Sequence, residues 1–197
     1  MDYARVIVGE SFRISGEDLI PLQLGHVALL DAIGCDPIES PEDLAVSIFA
    51  CRTDWRESSN RLFGGSYLTK WKLARLGRRI IRDGFISRMK LWHEYIELNT
   101  DTPRVSSDSA APRTSGTPFL QHVRTTLISK CNYDPQTVMS AQYLQAVWDY
   151  LSAWEIEGTC ELYTKTQIDD LRKDHSSVKD KIESAHRKKM EELNGRS

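Results

Sequence analysis

The side chains able to do chemistry are scattered along this 197-residue chain rather than grouped. Its four cysteines, Cys35, Cys51, Cys131 and Cys160, lie sixteen or more residues apart, without the close ligand spacing that marks a zinc site. Cys51 falls on an apolar helical stripe and reads as a small core hydrophobe. The five histidines are equally dispersed. His26 sits in an otherwise apolar helix, where a hydrogen-bonded core or boundary histidine is a better reading than a general base. His93 and Glu94 are neighbours in sequence but point to different faces of a helix. Glu155 and Glu157, and Asp169 and Asp170, read as exposed surface charge. There is no G-x-S-x-G, Walker, H-E-x-x-H or dinucleotide sequence, and Gly64-Gly65-Ser66 reads as the turn that starts a helix. The expectation is a protein that is not an enzyme and carries no cofactor and no metal.

Two other groups of residues point to binding. Lys72, Arg75, Arg79, Arg82 and Lys90 share a helix face as a basic ridge, which suits phosphates or an acidic partner and equally suits a solvated surface. The solvated surface is the favoured reading, because no zinc finger, RNP sequence or helix-turn-helix surrounds the ridge. The second group is the tryptophans, Trp55, Trp71, Trp92, Trp148 and Trp154. All lie on helical stripes and are read as core, with Trp148 and Trp154, beside Leu151, the ones placed nearest a partner surface.

The elements that must position these residues are mostly helices. Val6–Val8, followed by Gly9-Glu10, then Phe12 and Ile14 alternating with Ser11 and Arg13, with Gly16-Glu17-Asp18 turning the chain again, predict a short β-hairpin. A first helix runs from Leu24 to Gly34 and is apolar over most of its circumference. A second starts at Ser40 as N-cap with Pro41 at N1 and carries the stripe Leu44, Ile48, Cys51 and Trp55. Residues 67–98 form one long helix or two, with Asp83-Gly84 as the break. Its apolar face is read as Trp71, Ala74, Ile81, Phe85, Met89, Trp92 and Ile96. Asn99 to Pro118 contains three prolines and no aromatic, the composition of a linker. Beyond it, Phe119–Ser129 reads as a helix, Asp134-Pro135 as a turn, and Ser140 as the cap of a helix over 141–157 with the stripe Leu144, Val147, Trp148, Leu151 and Trp154. The charged tail repeats Ile168, Leu171, His175, Val178, Ile182 and Ala185 at 3-4 spacing, a short coiled-coil pattern suited to self-association through residues 168–185.

The expected fold is therefore mainly α. A β-hairpin and helical core occupy residues 1–98, a linker 99–118, a small helical segment 119–160 and a charged helical tail 164–197. Whether the two helical halves pack together is left open. No apolar run reaches the length of a membrane span, and the start of the chain shows no signal peptide, so a reducing cytoplasm with free thiols is expected. The formal charge of −2 gives no global drive toward nucleic acid or anionic lipid.

Two segments in order carry a resemblance. Ile20-Pro21-Leu22-Gln23-Leu24-Gly25-His26-Val27-Ala28-Leu29-Leu30 follows the strand-turn-strand start, and Glu42-Asp43-Leu44-Ala45-Val46-Ser47-Ile48-Phe49-Ala50-Cys51-Arg52 comes shortly after. With Tyr133-Asp134-Pro135 and the Leu-, Trp- and Tyr-rich helix behind it, this pattern over residues 5–158 resembles bacteriophage tail assembly chaperones. The resemblance implies a helical protein of the host cytoplasm that binds and solubilises the tape-measure protein while the tail tube grows around it. A groove between the second helix and the helix after Tyr67 would take that partner, and the linker would let the second half clamp or recruit another. Members of this class are often made in short and extended forms by frameshifting. The competing reading is a structural virion protein of the neck, tail-completion or baseplate kind. A nucleic-acid adaptor using Arg75, Arg79 and Arg82 ranks last.

Overall fold

The computed structural model describes residues 12–102, 104–106, 118–158, 160–163 and 167. Val6–Val8 and the charged repeat over 168–185 lie outside the described residues, as does most of the expected linker. Among the described residues there are seven α-helices and two pairs of short strands, so the chain is mainly helical, as expected.

The hairpin pairs β1 (Phe12–Ile14) with β2 (Glu17–Leu19), antiparallel, with Ile14 opposite Glu17. Its turn is Ser15-Gly16, both with positive φ (50° and 79°), the backbone that a two-residue hairpin needs for its twist. Glu17 and Asp18, read from sequence as turn residues, belong to β2 instead. Ile14 and Leu19 point into the core, and Arg79 closes over the turn, donating to the Ser15 carbonyl at 2.6 Å.

Helix α1 (Leu24–Ile33) ends at Gly34 in the left-handed conformation, as its position predicts. Helix α2 (Pro41–Ala50) starts where expected: the Ser40 hydroxyl accepts from the Asp43 amide, Pro41 occupies N1, and Glu42 and Asp43 face the helix dipole. Leu44, Ile48 and Cys51 are fully buried. Trp55 does not continue their stripe. The chain breaks at Cys51, and Asp54 caps a new helix, α3 (Trp55–Phe63), by accepting from the Arg56 amide. Helices α4 (Tyr67–Arg82) and α5 (Phe85–Thr100) are separated at Asp83-Gly84, where Gly84 has φ 89°.

The first core joins the hairpin to α2, α4 and α5. Leu44, Ile48, Leu76, Ile80 and Tyr95 are each 3% exposed or less at its centre. Tyr95 also donates its hydroxyl to the Ile20 carbonyl at 2.7 Å, which satisfies a polar tip in an apolar site. The expected groove between α2 and α4 does not exist as an opening, because Leu44 and Ile48 interlock there with Leu76 and Ile80.

The second core is built by α6 (Phe119–Lys130), a 3-10 turn (Val138–Ser140) and α7 (Tyr143–Ile156). Val123, Leu127, Val138 and Ala146 fill it, together with Leu24 from α1. Helix α1 thus belongs to both cores, and the two halves pack together. Asp134 shapes the preceding turn by accepting from Gln136 and Thr137. Within the expected linker, Asn99 and Thr100 finish α5, and β3 (Arg104–Ser106) pairs antiparallel with β4 (Glu161–Tyr163).

Candidate partner-binding surfaces

The junction of the two halves gathers Gln23, His26, Thr53, Asp54, Trp55 and Ser140. Gln23 and His26 form a reciprocal capping box at the start of α1. His26 is fully buried; its Nδ1 accepts the Gln23 amide at 3.2 Å, so Nε2 carries the proton and faces the Thr53 carbonyl at 2.9 Å. Burial holds its pKa below 6.5, against the raising effects of the Thr53 carbonyl and Asp54. The Trp55 amide donates to the Gln23 side chain, and its indole N–H donates to the Ser140 hydroxyl at 3.1 Å. Ser140 in turn donates to Asp54 at 3.0 Å. Ser140 therefore does not cap α7, for which Gln142 is the N-cap. The backbones also pair across the junction, Leu24 to Ala141 and Tyr143 to Leu22. The Trp55 ring lies directly on Gly25, so a Cβ there would land inside the indole. This constellation orders two halves and leaves His26 no free nitrogen for catalysis.

The basic ridge divides. Arg79 is turned to the hairpin, where it donates to the Ser15 carbonyl and pairs with Glu17. Arg82 is exposed beside Asp83 at 3.2 Å. Lys72 and Arg75 are exposed, and the Arg75 guanidinium lies 5.5 Å from the centre of the Trp71 ring.

Trp71 is therefore not core. It is 51% exposed, and Ile81 57%, so the apolar face assigned to α4 from sequence is the wrong one. The buried face runs Thr69, Leu73, Leu76 and Ile80. Both sets satisfy helical spacing, and packing against α2 selects the second. The outward face instead presents Tyr67, Leu68, Trp71 and Ile81 among Lys70, Arg75, Arg78 and Arg82. Tyr67, Leu68 and Arg78 were not among the expected partner residues. Their signal is in the sequence nonetheless: Tyr67 and Leu68 stand four and three positions before Trp71 and Arg78 seven after it, which puts all of them on its side of the helix.

The other candidates are more enclosed. Trp154 stacks on His122, meets Tyr150 edge-on, and has Lys130 Nζ 4.0 Å from its ring centre. Trp148 and Leu151 are half-buried on α7. Beside them a cavity of 370 Å³ is lined by Lys130, Tyr133, Asp149 and Ile156, but Tyr133 is bonded to Asp149 and Lys130 to Glu157. Among the described residues no three His, Cys, Asp or Glu side chains converge as a metal site, and no helix is long and apolar enough to cross a membrane. Comparison with protein families, with characterised proteins and with solved structures yields no match.

Proposed function

We propose that this chain is a non-enzymatic protein of the phage tail assembly chaperone kind, which binds the tape-measure protein and keeps it soluble during tail assembly. One observation carries the reading: α4 completes a core on one side and leaves tyrosine, leucine, tryptophan and isoleucine uncovered on the other. Single exposed apolar residues are ordinary, whereas a row of them on one rigid helix is the composition of an interface. A long amphipathic tail protein awaiting assembly needs such a surface to cover its own apolar stripe, through contacts weak enough to be displaced. The resemblance in the two N-terminal segments supplies the biological setting, and the enclosed state of His26 fits a role without catalysis.

The test is affinity capture of the tagged protein from phage-producing cells, with mass spectrometry of the captured material and of purified particles. Capture of a very long helical tail protein, with this chain absent from particles, is the expected result. Stoichiometric presence in particles would make it a structural virion component and remove the chaperone reading.

A further inference from the structure

The exposed face of α4 has a spacing of its own. Tyr67, Trp71, Ala74, Arg78 and Ile81 follow each other at intervals of four, three, four and three, the spacing of a coiled-coil seam. The buried face of the same helix, Thr69, Leu73, Leu76 and Ile80, repeats four, three, four. Helix α4 therefore carries two seams, one covered by α2 and one left exposed among the described residues. Lys70 flanks the bare seam on one side, Arg75 and Arg82 on the other, all exposed. From Ser58 to His93 the sequence contains nine lysines and arginines against one acid, Asp83. Among the described residues Lys70, Lys72, Arg75 and Arg78 have no carboxylate partner.

We infer that this face docks an acidic amphipathic helix of another protein, whose apolar seam lies on Tyr67, Trp71 and Ile81 and whose flanking Asp or Glu residues meet Lys70, Arg75 and Arg82. The inference rests on the functional reading above and names the segment of the partner that is recognised. Charge complementarity selects the sign, and the seam selects a helix. Tyr67 and Trp71 could stack on bases, whereas Leu68 and Ile81 offer apolar surface with no use to a nucleic acid, and titration with a DNA duplex decides between the two. Sixteen residues of α4 give a contact about 24 Å long, matching two to three heptads of partner.

The test is titration of the full chain with a synthetic helix of roughly three heptads carrying Leu at the seam and Glu on both flanks. A scrambled peptide of the same composition, a Lys-flanked counterpart and a short DNA duplex are the comparators. The Glu-flanked helix is expected to bind about tenfold or more tighter than each comparator, and to lose about tenfold on Trp71→Ala or Arg78→Glu while the melting curve stays in place. Equal binding of the scrambled peptide, or indifference to Trp71→Ala, overturns the inference. So does DNA binding lost on Arg78→Glu without peptide binding. A dimer abolished by Arg78→Glu without peptide binding would assign the seam to a second copy of the chain, with the same effect. Repeating the affinity capture with Arg78→Glu separates the two levels. Unchanged capture of the tail protein defeats this inference alone, whereas a wild-type chain that captures no tail protein defeats the functional reading whatever the peptide does.

Discussion

Trp55 and Trp71 stand on consecutive helices and have opposite fates. The ring of Trp55 covers Gly25 and its N–H reaches Ser140, eighty-five residues away; the ring of Trp71 lies in solvent beneath Arg75. The first belongs to a junction where each polar atom named above has a partner within the chain. The second belongs to a face whose cations and apolar groups find little to hold among the described residues. Unpaired polar atoms are costly when buried, so the junction must be complete to exist at all. The outer face of α4 is free of that demand, and its composition can follow a partner. Residues 20–30 and 42–52 feed the junction and the first core, while the proposed specificity sits on α4, outside both segments.

That contrast can be broken most directly at Gly25. Gly25→Ala forces the new methyl against the Trp55 ring and is expected to cost about 2–3 kcal/mol in urea unfolding. In a Trp55→Ala background the same change should cost far less, and a double-mutant cycle without coupling would contradict the packing described. Ser140→Ala strips a partner from both the Trp55 indole and Asp54, for an expected loss of about 1–2 kcal/mol on the same assay. Arg79→Ala, which frees the hairpin turn, should lower stability by about 1 kcal/mol, whereas Arg75→Ala four residues earlier should stay within about 0.5 kcal/mol. Equal effects would erase the division drawn within the ridge.

The junction should also feel pH. His26 is neutral when folded and its pKa is held below 6.5, so the unfolded chain binds the extra proton first on acidification. Its contribution to stability is complete above pH 6.5 and declines as pH falls below that value toward the folded pKa. Melting temperatures between pH 7.5 and 5 should therefore drop more steeply for the wild type than for His26→Gln, and parallel curves would remove His26 as the cause. The smallest effect is expected from thiol labelling, which leaves the fold intact. Cys51 is wholly buried and its pKa is pushed up to about 12 by burial, so in the native state it should react far more slowly than the partly exposed Cys35 and Cys131.

Local signals in the sequence were reliable wherever a single residue sets the backbone. Ser40-Pro41, Gly34, Asp83-Gly84 and Asp134-Pro135 start, stop or turn the chain where they were read to do so, because caps and breakers act within one turn. What escaped depended on distant neighbours. The break before Trp55 has its own mark in Asp54, with Glu57 three residues on, but the apolar stripe running through Cys51 masked it. Ser140 looked like a cap and became a bridge, since Trp55 and Asp54 approach it only in the folded chain. On α4 two faces have the same periodicity, and periodicity alone has no means to say which is covered. The candidate surface was half legible for that reason: its cations were seen, its aromatic and aliphatic members were assigned to the core, and Arg79 was counted among them although the hairpin holds it.

The small ladder between Arg104–Ser106 and Glu161–Tyr163 sets a load path. The strand that leads away from α5 is laced to the strand that follows α7, so the unit of α6 and α7 is gathered at its base like a loop tied off with thread. Tension applied at Tyr163 is expected to cross the ladder to Arg104–Ser106 before it reaches α7. A pull arriving at Tyr163 would then be shared between α5 and the junction, and α6 and α7 would carry only part of it.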